Sequence, residues 1–75
     1  MRISEMQHLI ARDQVREGLL RTSPEGWEVA LEDLEGKQLP LTDSTGRIKH
    51  FHSLDHATQV LNTIGVKTIS VLERF

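Results

Sequence analysis

His50, His52 and His56 crowd into His50-Phe51-His52-Ser53-Leu54-Asp55-His56, the densest group of metal-ligating side chains in the sequence. In an extended segment His50 and His52 share a side, and His56 follows one turn into a helix, so two or three imidazoles with Asp55 could converge on a divalent ion. Structural zinc sites in chains this small rely on cysteine thiolates at a closed spacing, and the sequence has no cysteine. No metal site is therefore expected, and the histidines are read as polar residues at a strand-to-helix junction. The same lack removes disulfides and thiolate nucleophiles. Ser44 and Ser53 fit turn and helix-cap roles better than nucleophilic ones. Gly18, Gly26, Gly36, Gly46 and Gly65 stand singly at element ends, not in a run that cradles phosphate. No catalytic residue and no cofactor is assigned, and the expected class is not an enzyme.

Phosphate contact is the second chemistry the side chains could support. Arg47 and Lys49 lie close together, as do Arg12, Arg16 and Arg21, and these form the candidate DNA-binding set, with Arg47, Lys49, Arg12 and Arg16 as its contacts. The overall charge opposes it: the formal net charge is −2 and the isoelectric point is near 6.0. That average hides a gradient. Residues 1–23 carry four arginines against three acids, residues 24–46 one lysine against six acids, and residues 47–75 four bases against two acids. Non-specific duplex affinity comes from clustered Lys and Arg. Asp13 and Glu17 interleave with the first arginine group, which favours pairing along a helix surface.

These residues need elements to position them. From Ile3 to Arg21 there is no proline and the composition suits a helix, with Ser4 and Gln7 at capping-box spacing. At 100° per residue Ile3, Met6, Leu9, Ile10 and Leu20 share one side, while Val15 and Leu19 lie on the other. A helix with two apolar faces wants two neighbours, so Ile3, Met6, Leu9, Ile10, Val15 and Leu19 are the expected interaction residues and a homodimer is favoured over a monomer. Ser23-Pro24-Glu25-Gly26 reads as a loop. Trp27 to Glu32 alternates apolar and polar as a half-buried strand does, Asp33 to Lys37 reads as a hairpin turn, and Gln38 to Thr42 resumes the alternation. Pro40 places that strand at an edge. A second turn, Asp43 to Gly46, leads to a third strand, Arg47 to Phe51, with Ile48 inward. Ser53 caps a second helix whose Leu54, Ala57, Val60, Leu61 and Ile64 share a side, and Gly65 ends it. The β-branched run from Val66 to Leu72 makes a last strand.

The fold class expected is α+β, one small domain in the order α-β-β-β-α-β: an N-terminal helix over residues 1–22 and a βββαβ core over 26–75, with the second helix on one side of an antiparallel hairpin sheet. Seventy-five residues leave no room for a second core. Glu28, Ala30, Glu32, Gln38, Thr42, Arg47, Lys49 and Phe51 are expected on the outer face. No apolar run approaches the ~20 residues that span a bilayer, there is no signal-peptide pattern, and a reducing cytoplasm suits a cysteine-free chain.

From Gly26 onward, the Trp27-started strand, the Thr45-Gly46 turn, the Lys49-His50-Phe51-His52-Ser53-Leu54-Asp55 helix start and the Ile64-Gly65-Val66 exit resemble a family of small accessory proteins encoded on plasmids and integrative elements, sometimes called partition-associated. The likeness covers residues 26–71. It implies a non-enzymatic role on a bacterial mobile genetic element, exercised through protein–protein contacts, and supplies no catalytic residues. The run from Gly26-Trp27 to Phe51-x-Ser53-Leu54-x-x-Ala57 also superficially resembles the arm-type DNA-reading domains of phage integrases. A DNA-binding accessory factor, laying the sheet or first helix on a duplex, is accordingly the alternative function.

Overall fold

The computed structural model describes residues 1–72 and has the α+β class expected, with two helices and a mixed five-stranded sheet. Its elements run α1 (Ile3–Ala11), β1 (Val15–Ser23), β2 (Gly26–Asp33), β3 (Gln38–Pro40), β4 (His50–Phe51), α2 (Leu54–Ile64) and β5 (Ile69–Leu72). Residues 73–75, assigned from the sequence to the end of the same core, lie outside the described residues.

The expected N-terminal helix over residues 1–22 is half that length, and its second half is a strand. The helix starts at Ile3, not at Ser4, and Glu5 Oε1 accepts the Arg2 backbone N–H at 3.0 Å. It closes without a glycine. Asp13 adopts φ 57°, the Asp13 N–H donates to the Ile10 carbonyl, and the Gln14 N–H donates to the Leu9 carbonyl, both at 3.0 Å. These two bonds make a Schellman closure with aspartate in the left-handed position. The chain then reverses into β1, where sheet pairing on both sides overrides helical propensity. Beyond the bulge between Val15 and Glu17, β1 pairs antiparallel with β2 from Glu17↔Glu32 to Ser23↔Gly26, and parallel with β5 from Gly18↔Ile69 to Arg21↔Leu72. The sheet is thus mixed, in the order β3-β2-β1-β5, with β4 also pairing with β2. Pro40 does sit on an edge strand, as expected.

One turn is built twice. In both Asp33-Leu34-Glu35-Gly36-Lys37 and Asp43-Ser44-Thr45-Gly46-Arg47 the aspartate N–H bonds the carbonyl four residues on, at 2.9 and 2.8 Å, and the glycine N–H returns to the aspartate carbonyl at 3.1 Å. The aspartate Oδ1 also accepts backbone N–H groups from positions two and four residues later. Gly36 and Gly46 both have φ 85° with open space around them, so conformation alone demands glycine there.

Both helices lie on one face of the sheet. Ser53 caps α2, its Oγ accepting the His56 N–H at 3.1 Å, and Gly65 closes it at φ 108°. Ala57, Leu61 and Ile64 are buried against Leu20, Val29, Leu31, Leu41 and Phe51, and Met6 joins them from α1. Gly18 lies beneath this layer. A Cβ there would stand 2.9 Å from Val66 Cγ1 and 3.1 Å from both Leu61 methyls, so glycine lets α2 and its exit approach the sheet closely. No helix of the described residues is long and apolar enough to cross a membrane.

Candidate functional site

The other face of the sheet carries no helix among the described residues, and strand register fixes which side chains occupy it. Starting from Gly18, which points at α2, alternation sends Glu17, Leu19 and Arg21 of β1 to the open side. Their partners follow: Glu32, Ala30 and Glu28 on β2, Gln38 and Pro40 on β3, His50 on β4, and Ser70 and Leu72 on β5. Side-chain contacts bear this out. Ser70 Oγ donates to Glu17 Oε2 at 3.0 Å. Arg21 donates through one terminal nitrogen to Gln38 Oε1 at 2.8 Å and faces Glu28 Oε1 with the other at 3.5 Å. His50 Nε2 stands 3.1 Å from Glu28 Oε2 and 3.3 Å from Glu25 Oε2.

The result is a continuous polar chain, Gln38–Arg21–Glu28–His50–Glu25, across four strands and the β1–β2 turn. Gln38 and Glu28 lie four residues apart measured along β2, so the bond from Arg21 to Gln38 passes over Ala30, the small residue between them. Ala30 and its partner Leu19 are buried although no element among the described residues covers them, and of those residues it is the side-chain network that lies over them. Arg21 Nε is enclosed without a hydrogen-bond partner. Chemically the face presents three carboxylates, Glu17, Glu28 and Glu32, against one guanidinium, with apolar Leu72 40% exposed at one margin. Such a surface suits a partner that brings positive charge and hydrogen-bond donors.

The expected outer face is only partly the observed one. Glu28, Ala30, Glu32 and Gln38 are there, and Thr42 bridges to Ile48 beside it. Phe51 is not: it is buried in the core opposite Trp27, while Ile48, expected inward, is 40% exposed. The expected parity of the third strand is inverted. Phe51 buries more apolar area than Ile48, and the order of burial decides which alternate set turns inward. Lys49 consequently leaves the open face, its Nζ standing 5.7 Å from the centroid of the Phe51 ring. Arg47 belongs to the second Asp-Gly turn, Arg12 caps the end of α1, and Arg16 donates to the Leu34 carbonyl at 3.1 Å. The four candidate DNA contacts thus lie on a turn, a strand approach, a helix end and the bulged start of β1, not together on the sheet face.

The expected interaction residues divide as well. Met6 is fully buried and Leu19 nearly so, Leu9, Ile10 and Val15 are half-buried, and Ile3 is 38% exposed. They do not form two faces of one helix, because Val15 and Leu19 belong to β1. The three histidines separate: His50 joins the open face, His56 packs edge-on against Phe51 with ring centroids 5.2 Å apart, and His52 is exposed. Among the described residues no three His, Asp or Glu side chains are arranged to hold a metal ion. Arg21 and Glu17 are not legible as face residues in the sequence, because their segment reads as helix.

Comparison with known proteins adds no relative: no protein-family profile, curated protein or solved structure matches the chain.

Proposed function

We propose that this chain is a non-catalytic accessory module that binds a protein partner across the open face of its sheet and also associates with itself. The observation carrying this reading is the one-sided fold: a sheet layered by helices on one face, with a connected polar network and the buried apolar pair Leu19 and Ala30 on the other. Apart from Arg21 Nε, the polar groups of that network are engaged with one another, an arrangement suited to a firm contact surface more than to a reaction. The excess of carboxylates favours a protein partner with basic side chains over a phosphate backbone. A setting on a bacterial mobile element is supported by the likeness of residues 26–71 to plasmid accessory proteins.

Site-specific photo-crosslinking in the source cells tests it. A crosslinker at Glu32 on the open face is expected to capture one defined protein, while the same group at Gln59, exposed on α2, captures none. Equal capture at both positions, or nucleic acid captured at Glu32, contradicts the reading.

A further inference from the structure

The two margins of the sheet are protected very differently. On one side β3 and β4 share the edge of β2, and the first has three residues, the second two; Pro40 removes a backbone donor there. On the other side β5 presents Ile69-Ser70-Val71-Leu72, with no charge and no proline, and no described strand pairs with its outer edge. Val71 is 46% and Leu72 40% exposed, one on each face of the sheet. Natural sheets blunt an edge with charge, proline or a bulge, or else pair it.

The hydrogen-bond pattern says which peptide groups are free to pair. The Gly18 N–H donates to the Thr68 carbonyl at 2.8 Å, with Gly18 opposite Ile69. In a parallel ladder the bonds from one strand go to alternate residues of the other. The Thr68 carbonyl, both Ser70 peptide groups and the Leu72 N–H therefore turn toward β1, and the N–H and carbonyl groups of Ile69 and Val71 turn outward. We propose that a second copy of this chain adds its own β5 antiparallel to this edge, about a two-fold axis at Ser70. That axis sets Ile69 of each copy opposite Val71 of the other. Each such pair exchanges two backbone bonds, so the four outward groups of each strand are all used.

Three features select an identical strand as the occupant. The outward groups are self-complementary about Ser70, and closed two-fold pairing of this kind is isologous. Ile69 and Val71 share the helix-covered face, so two copies form one row of four β-branched side chains there. Within β5 there is no charge to oppose its own copy, and the two Lys67 residues fall at opposite ends of the paired segment, about 20 Å apart, beyond the screening length. The inference specifies the self-association proposed above; its failure leaves binding at the open face untouched, because that face is read by a separate crosslink.

Analytical ultracentrifugation of the full chain from about 20 µM to 1 mM is the test, a range chosen for the weak affinity of a small interface. The wild type is expected to rise from its 8.5 kDa monomer mass toward twice that value. Val71→Pro removes an outward N–H and no bond to β1, and its ring is compatible with an edge strand, so it is expected to retain the wild-type circular dichroism spectrum and remain monomeric throughout. If that variant does not fold, Val71→Lys places a repelling charge on the same edge and is read instead. Amide exchange gives a second readout: the Ile69 and Val71 amides gain protection with concentration, whereas the Gly18 amide is protected at every concentration. A wild type that stays monomeric at about 1 mM overturns the proposal. So does a folded Val71 variant that dimerises like the wild type, or protection gained elsewhere than β5.

Discussion

Asp43 is a single side chain that organises a whole turn, accepting the Thr45 hydroxyl at 2.6 Å and the backbone N–H groups of Thr45 and Arg47. The Thr45 hydroxyl above all, then the Thr45 N–H, and after these the Arg47 N–H and charge, hold its carboxyl below the ordinary 3.8, against an opposing effect of desolvation. The sign follows from linkage. The ionised form is favoured by folding, so its contribution to stability is complete above the ordinary carboxylate value and is lost as pH falls through the lowered folded value. An NMR titration of the Asp43 carboxyl carbon is expected to give a midpoint below 3.8, and Thr45→Val to move it upward. Arg21 is the second organising residue, holding Gln38 and Glu28 together over Ala30. Arg21→Ala is expected to cost about 1–2 kcal/mol by urea denaturation, more than an exposed ion pair is worth, because it also uncovers Ala30 and Leu19. A loss indistinguishable from zero would mean that the network is not their lid.

At the scale of elements, α2 is the most legible part of the chain. Its cap Ser53, its apolar side and its terminal Gly65 are all written locally, and local signals suffice for a helix packed by one stripe. Both Asp-Gly turns are legible for the same reason. The α1–β1 boundary is not, since the helix closes on Asp13 and residues 14–17 are competent helix formers. Two traces of it exist in the sequence: Val15 and Leu19 fall out of phase with the earlier apolar positions, and Gly18 interrupts the segment. Strand identity there comes from pairing with β2, the next strand in a hairpin, and with β5, distant in sequence, and propensity registers neither. Gly18 then acquires a specific meaning, the close approach of Leu61 and Val66. Gly18→Ala is expected to destabilise by about 1–3 kcal/mol through overpacking, and Val66→Ala in the same chain to recover part of that loss. Equal urea midpoints for wild type and Gly18→Ala would contradict the close contact.

For the whole molecule, alternation in β2 and β3 already separates an inner from an outer set, so half of the open face could be read from the sequence. The other half depended on recognising β1, which contributes Glu17 and Arg21, and on the parity of the strand ending at Phe51. A period of two cannot say which set is buried when Ile48 and Phe51 compete for the inside. The topology has a functional consequence: apart from Arg21, the candidate basic contacts Arg12, Arg16, Arg47 and Lys49 lie off the uncovered sheet, whereas Glu17, Glu28 and Glu32 collect on it. A duplex laid on that sheet meets Glu17, Glu28 and Glu32. Whether the face meets protein or phosphate is decided by one titration, fluorescence anisotropy of a labelled random duplex with the purified chain at about 50 and 200 mM salt, a range over which six to ten phosphate contacts cost ~10³-fold or more in affinity. No binding at the lower salt is expected. Tight binding there that collapses at the higher salt would contradict a protein-binding face and return Arg12, Arg16, Arg47 and Lys49 to the centre of the function.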